Sequence, residues 1–412
     1  MVHETSRRLI LRWGRHNMAL KMATRMAELR ASEIREILKL TQRPEVISFA
    51  GGLPAPETFP AKELAEVTAT VLADSGAKAL QYSPTEGFPP LRQAIADRMN
   101  GKLGTAVEQS EILILSGSQQ GLEFTGKILL DPGDVILCES PTYLGAINAF
   151  KAYEPRFVEV ETDDDGMVPS DLERRLGEIP NVRFIYVIPD FQNPSGRTWS
   201  LERRKSLMAL ARRFEIPVIE DSPYTELRFE GEPVPPLKSL EGSEWVVFLG
   251  TFSKVFCPGL RLGWLAAAPE LFQKFVFVKQ AADLHTSTLG QMQLSGYLDR
   301  FGLDGNVKAV IDLYRKRRDV MLRMMEAHFP EGISWTRPEG GMFLWVTLPE
   351  DLNARDLLVQ CLEEDVAFVP GGAFFPNGGH ENTLRMNYST SSEERIEEGV
   401  ARMARVLRGL MG

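Results

Sequence analysis

From about residue 110 onward, short apolar and β-branched runs alternate with stretches of helical periodicity. Each run closes on a polar or glycine-rich turn. The runs cover residues 112–115, 135–138, 156–160, 183–188, 217–220, 246–249 and 262–267. This alternation predicts an α/β fold, a mostly parallel seven-stranded sheet covered by helices on both faces. Ligands of such sheets collect at the loops after the carboxyl ends of strands. The residues just after each run are therefore the place to look for chemistry.

The flanks have a different pattern. Residues 31–40 predict a helix, with Ile34, Ile37 and Leu38 at helical spacing, and the Gly- and Pro-rich residues 45–60 predict a loop. Residues 286–329 are mostly helical in pattern. Their basic stretch Arg315, Lys316, Arg317 and Arg318 reads as a solvated helix face. Runs at 343–348, 366–369 and 383–388, followed by a terminal helix, predict a smaller α+β domain. The expected division is an N-terminal arm, 1–60, associated with the small domain; a large domain, 61–300; and a small C-terminal domain, 301–412.

Composition narrows the class. The 412 residues are 43% hydrophobic and 25% charged, ordinary for a globular chain. With 47 basic and 56 acidic residues the net charge is −9, which argues against nucleic-acid binding. Cys138, Cys257 and Cys361 are scattered, so neither a disulfide framework nor a metal site is expected, and a reducing cytoplasm fits. No run approaches the roughly 20 apolar residues that span a bilayer. The first 30 residues carry Arg7, Arg8, Arg12, Arg15, Lys21, Arg25 and Arg30 but neither an apolar core nor a small-residue cleavage site. They read as a helical arm rather than a targeting peptide, with Met18 and Met22 as alternative starts.

The loops after the runs carry the chemistry. Thr251-Phe252-Ser253-Lys254 follows the run 246–249 and leads to Pro258-Gly259-Leu260-Arg261. A lysine at a strand end, with a hydroxyl beside it and an arginine nearby, suits Schiff-base chemistry, because desolvation or a second cation frees the amine as a nucleophile. Alone it could be a surface lysine. Asp221 and Tyr224 follow the run 217–220, and a buried carboxylate there can pair with a protonated pyridine nitrogen. Asn193-Pro194-Ser195-Gly196 follows 183–188. Asn193 and Tyr224 both offer donors, although N-P-x-G alone is only a turn. Ser116-Gly117-Ser118-Gln119-Gln120-Gly121 follows 112–115 and opens a helix, whose free N–H groups make a phosphate seat. Pro141-Thr142-Tyr143 follows 135–138 and supplies a ring that can stack on a flat group.

In order and spacing, SGSQQG, SPTY, QNPSG, EDSPY, TFSK and PGLR resemble class I/II aminotransferases of pyridoxal-5'-phosphate (PLP) fold type I. The wider text, including SEIREILKL, SFAGGLPAPETFP, QYSPTEG, RPEGGMF and LRMNYS, resembles 2-aminoadipate and aromatic-type aminotransferases across residues 31–389. The resemblance implies that Lys254 forms the cofactor aldimine and moves the proton in a ping-pong transamination. Asp221 would meet the pyridinium, Asn193 and Tyr224 the 3'-oxygen, and Tyr143 the ring face. Ser118, Gln119, Ser253 and Arg261 would hold the phosphate. Tyr82 would reach the phosphate of a neighbouring subunit in a homodimer, and Arg385 would clamp the substrate α-carboxylate.

For the substrate side chain, the resemblance places Arg35 against a distal carboxylate and Gly52 beside the substrate backbone. The other reading pairs Arg35 with Glu33 or Glu36 on a solvated helix. The expected reaction moves the amino group of 2-aminoadipate or glutamate, or of an aromatic or branched-chain amino acid, to a 2-oxo acid such as 2-oxoglutarate. Three rivals are a β-lyase or decarboxylase on the same scaffold, a transcription regulator and a non-catalytic binding protein. About 40 residues precede SFAGGLP, too few for the DNA-binding module a regulator needs.

Overall fold

A computed structural model describes residues 21–27 and 43–411. The predicted helix at 31–40, and Arg35 with it, lies outside the described residues. The large sheet contains β1 (Ile112–Leu115), β2 (Val135–Cys138), β3 (Arg156–Glu159), β4 (Val182–Val187), β5 (Val218–Asp221), β6 (Val246–Thr251) and β7 (Gly263–Ala266). Their order is β1-β7-β6-β5-β4-β2-β3. β7 runs antiparallel to both neighbours, and the other pairs are parallel. β1, β2, β5, β6 and β7 are buried at every position, as expected of strands covered on both faces.

Two strand ends differ from the sequence pattern in a way that matters for chemistry. β5 includes Asp221, which stays in register with Leu249 of β6 because its carboxylate finds a hydroxyl partner inside the sheet layer. β6 runs on through Gly250 to Thr251. A Cβ at Gly250 would lie 2.2 Å from the Trp264 ring, so only glycine lets β7 pack there.

The second sheet is antiparallel: β8 (Ser334–Trp335), β9 (Phe343–Thr347), β10 (Val369–Pro370) and β11 (Thr383–Asn387), in the order β8-β9-β11-β10. The run 366–369 is not one strand. Val366–Ala367 pairs in parallel with Ile47–Ser48, and β10 then pairs with β11. The N-terminal segment is thereby stitched to the C-terminal part of the chain. The helical region divides into Thr288–Phe301 and Asp304–His328 at Gly302, whose φ of +69° ends the first helix.

The basic stretch 315–318 is a solvated face only at Arg315 and Lys316, which are exposed. Arg317 and Arg318 are each 5% exposed. Arg317 donates to Ser389 O and Glu57, and Arg318 to Pro338 O and Glu230. They reach across to other elements because each guanidinium satisfies both a carbonyl and a carboxylate. Among the described residues no helix is long and apolar enough to cross a membrane.

Candidate active site

The loops after β1, β2, β4, β5 and β6 meet at a cavity of about 420 Å³, closed on the opposite side by Phe343, Arg385 and residues 52–54. Lys254 lies three residues beyond β6. Its Nζ donates to the Gly52 carbonyl at 2.9 Å. Burial lowers its pKa to about 8, helped by the charges of Arg385 and Arg261 and opposed by Asp221. Far more free amine is thus present near pH 8 than an ordinary lysine would offer. Gly52 also sits against a ring: a Cβ there would lie 2.9 Å from Phe343 Cζ.

Asp221 forms one end of the cavity. It is 2% exposed, and burial raises its pKa to about 7, opposed by a hydrogen bond from Tyr186 and the charge of Lys254. Tyr186 Oη donates to Asp221 Oδ2 at 2.9 Å. Oδ1 is equally buried and has no partner. A buried carboxylate oxygen without a donor is costly. A protonated ring nitrogen is the kind of donor that would satisfy it.

The phosphate seat is also built in. Gly117 takes φ +85° and the helix Ser118–Leu129 begins at once. The place a Gly117 Cβ would occupy is 2.4 Å from Arg261 Nη2, so the guanidinium lies over the turn. Its own contacts, to Pro258 O and Ser116 O, are long at 3.5 Å each. Gly263 lets β7 approach closely: a Cβ there would be 2.8 Å from the Ser118 N. Ser253 is fixed by Thr251, whose hydroxyl accepts from Ser253 N at 3.1 Å and donates to Ser253 Oγ at 3.0 Å. The Gln119 side chain instead donates to Gly145 O, tying the helix start to the Tyr143 loop. Helix-start N–H groups, a hydroxyl and a loosely held guanidinium can together seat a phosphate.

Arg385, on β11, forms the other end. It donates to Asn193 Oδ1 at 2.8 Å and Ala50 O at 2.7 Å, and stacks over Phe343 (4.2 Å) and Phe374 (5.1 Å). Neither of these acceptors carries a charge, its Nε lacks a partner, and burial lowers its pKa to about 10. Such a cation is suited to receive a carboxylate. Asn193 Nδ2 lies 3.5 Å from Tyr224 Oη, so the two donors face one another. Tyr143 lines the cavity with its ring against Gly145, where a Cβ would lie 2.4 Å from Cζ.

Tyr82 is not brought into this cavity. It is 77% exposed, its ring edge-on to His285. Sequence reasoning missed three groups. Tyr186 and Phe343 lie within β4 and β9, where an aromatic residue reads as core. A hydroxyl in the otherwise apolar run 184–188 was the available signal for Tyr186. The third is Glu139, fully buried after β2, which accepts from Ile188 N (2.8 Å) and Trp199 Nε1 (2.9 Å). Burial raises its pKa to about 7, opposed by these donors. It braces the Tyr143 loop against the Asn193 loop, helped by Gln192 Nε2 donating to Pro141 O at 2.7 Å.

The family described as aminotransferase class I and II matches residues 44–403. The chain belongs to this family. An aromatic-amino-acid aminotransferase of Thermococcus litoralis is 45% identical over 384 residues, 92% of each chain. A 2-aminoadipate transaminase of Thermus thermophilus is 46% identical over 386 residues, 93% of this chain and 95% of the relative. Among solved structures, the alpha-aminoadipate aminotransferase LysN of Thermus thermophilus, complexed with N-(5'-phosphopyridoxyl)-L-leucine, superposes with a TM-score of 0.88 at 44% identity, covering 95% of this chain and 98% of that one. The present protein is thus a PLP-dependent aminotransferase of fold type I. The aminotransferase cavity fits that cofactor on its own geometry, through the unpartnered Asp221 oxygen at one end and the Gly117–Arg261 cradle beside it.

Proposed function

We propose that this aminotransferase takes 2-aminoadipate, glutamate and apolar or aromatic amino acids as donors, with 2-oxoglutarate as the acceptor. The observation that carries the reading is Arg385, a buried cation with a free Nε at the cavity end away from Asp221. Bound PLP supplies an electron sink that stabilises charge on the substrate α-carbon. Around it, Asp221 holds the ring-nitrogen proton, and Asn193 and Tyr224 donate to the 3'-oxygen. Tyr143 covers the ring face. Ser118, Gln119, Ser253 and Arg261 hold the phosphate. Arg385 fixes the α-carboxylate beside Gly52, and Lys254 carries the proton from the α-carbon.

The cavity lining includes the apolar Leu53, Pro54, Ile188 and Pro223, which suit leucine or phenylalanine side chains. Among the described lining residues the cations are Lys254, Arg261 and Arg385, and each already has a role. A distal carboxylate therefore calls for another cation, and Arg35 is the one proposed. The names of the relatives, aromatic in one case and 2-aminoadipate in the others, support a broad donor range. We also assign a homodimer in which Tyr82 enters the neighbouring site, since this exposed phenol has no role in its own chain's cavity. A reducing cytoplasm suits its three free cysteines.

The test is a donor panel of 2-aminoadipate, glutamate, leucine and phenylalanine, run on wild type and Arg35→Ala. Acidic donors should lose at least about tenfold in kcat/KM while leucine changes little. Equal losses across the panel would remove Arg35 from the reading.

A further inference from the structure

A hydrogen-bond network behind the phosphate loop takes no part in this chemistry and reaches beyond the loop. Lys279 lies near the end of the helix Pro269–Ala282, its side chain fully buried. Its Nζ donates to Asp283 Oδ1 at 2.9 Å and to Gln120 Oε1 at 2.9 Å. Gln120 Oε1 also accepts from the Ser116 backbone N–H at 2.9 Å. Asp283 Oδ2 accepts from Ser116 Oγ at 3.0 Å and Gln120 Nε2 at 2.8 Å. One ion pair thus grips residues on both sides of the Gly117–Ser118 turn. Burial would raise the Asp283 pKa, but the donors from Gln120, Lys279 and Ser116 outweigh it and hold the group below its ordinary value.

The same segment continues to Tyr82. Thr286 Oγ1 lies 3.2 Å from Ser116 Oγ. Thr288 Oγ1 lies 3.1 Å from Gln81 O and 2.9 Å from Ser83 Oγ, the residues on either side of Tyr82. His285 Nδ1 is 3.3 Å from Ser83 Oγ, and its ring meets the Tyr82 ring edge-on at 5.8 Å. Residues 283–288 are therefore bonded to the phosphate loop on one side and to the Tyr82 segment on the other.

We propose that Asp283, clamped by Lys279, is a positioning residue that couples this chain's phosphate seat to the Tyr82 segment. A phosphate held at one site then steadies the tyrosine offered to the neighbouring one. The coupling rests on the proposed homodimer. It follows from Ser116 of the phosphate loop, which bonds both Asp283 and Thr286, and from Thr288, two residues further on, which bonds Gln81 and Ser83.

The experiment titrates cofactor-free wild type, Asp283→Asn, Tyr82→Phe and the double variant with PLP, and in parallel with unphosphorylated pyridoxal. Asp283→Asn should weaken PLP by about tenfold and change pyridoxal by less than about twofold, because it acts only through the phosphate. The double variant should lose less than the product of the single losses, by about fivefold. Equal weakening of PLP and pyridoxal would mean a general structural role and overturn the proposal. Multiplicative losses, with both single variants defective, would sink the coupling and leave the dimer reading standing. A Tyr82→Phe variant with wild-type PLP affinity would sink the dimer reading, and the coupling with it. Should Asp283→Asn fail to fold, Lys279→Gln enters the same titrations with the same outcomes expected, since it removes the cation that clamps both Asp283 and Gln120.

Discussion

Asp221 and Arg385 are both 2% exposed, and each keeps one buried polar atom without a partner, Oδ1 on the acid and Nε on the base. They are held quite differently. Asp221 belongs to β5, and its one hydrogen-bond donor, Tyr186, comes from the adjacent strand β4 of the same sheet. Arg385 is on β11 of the second sheet, and its partners come from the loop after β4 and from Ala50 in the N-terminal segment. The acid end is thus complete within one sheet, whereas the base end exists only where three separate stretches of chain meet. Cofactor chemistry rests on the first arrangement. In the proposed mechanism the hold on the substrate α-carboxylate, which every donor carries, rests on the second.

If that contrast holds, Lys254 and Arg385 should fail in separable ways. Lys254→Ala removes the nucleophile and the proton carrier together, and should cost turnover at least about a thousandfold. Borohydride treatment of the wild type with PLP should fix the cofactor to Lys254 by mass, and the variant should take up no such label. Normal turnover in Lys254→Ala would end the proposed mechanism. Arg385→Ala should lower kcat/KM for every donor by about two hundredfold, the scale of losing one partner of a buried charge pair. PLP affinity should change by less than about threefold, because Arg385 belongs to the other end of the cavity. A parallel collapse of cofactor and substrate binding would show that the two ends are one unit.

The pH dependence of cofactor capture probes the lysine between the two ends. Its pKa of about 8 means that Lys254 is mostly protonated, and no nucleophile, below that value. Capture of PLP by the cofactor-free protein should therefore speed up by about fiftyfold from pH 6 to 8 and level off above about pH 9. Burial is the main cause of the lowered pKa, with Arg385 the next, so Arg385→Ala should move the midpoint upward. A downward movement would contradict the assigned electrostatics.

The same contrast explains what could be read from the sequence. The strand-end loops were legible because a buried parallel sheet imposes short apolar runs, and the turns after them carry residues with few other reasons to be there. Lys254, Asn193 and Ser118 are of this kind. The sequence pattern puts Asp221 just outside its strand although it ends β5, because an acid in a fully buried register makes sense only once Tyr186 faces it. Arg317 and Arg318 looked like a solvated face because local pattern cannot show that Ser389 and Pro338 supply carbonyls from far along the chain. The split of 366–369 between two sheets was hidden for the same reason, since its partners are Ile47–Ser48 and β11. Local periodicity records burial well, but it does not record which distant segment does the burying.

Tyr186 allows the finest cut at the acid end. Tyr186→Phe keeps the ring and its packing against Phe150, 5.8 Å away between centroids, and removes only the hydroxyl that donates to Asp221 Oδ2. Both carboxylate oxygens would then be without a donor in the cofactor-free protein. The hydroxyl's bond lowers the Asp221 pKa, so its loss should move that pKa above the present value of about 7 and leave more of the acid neutral at working pH. A neutral acid holds a protonated ring nitrogen less well. Affinity for PLP should fall by about tenfold, the scale of one hydrogen bond to a charged group, with donor KM values nearly unchanged. The loss should shrink as pH rises from 7 to 9 and Asp221 regains its charge. A loss that stays constant over that range would mean that Tyr186 acts through packing and not through the carboxylate.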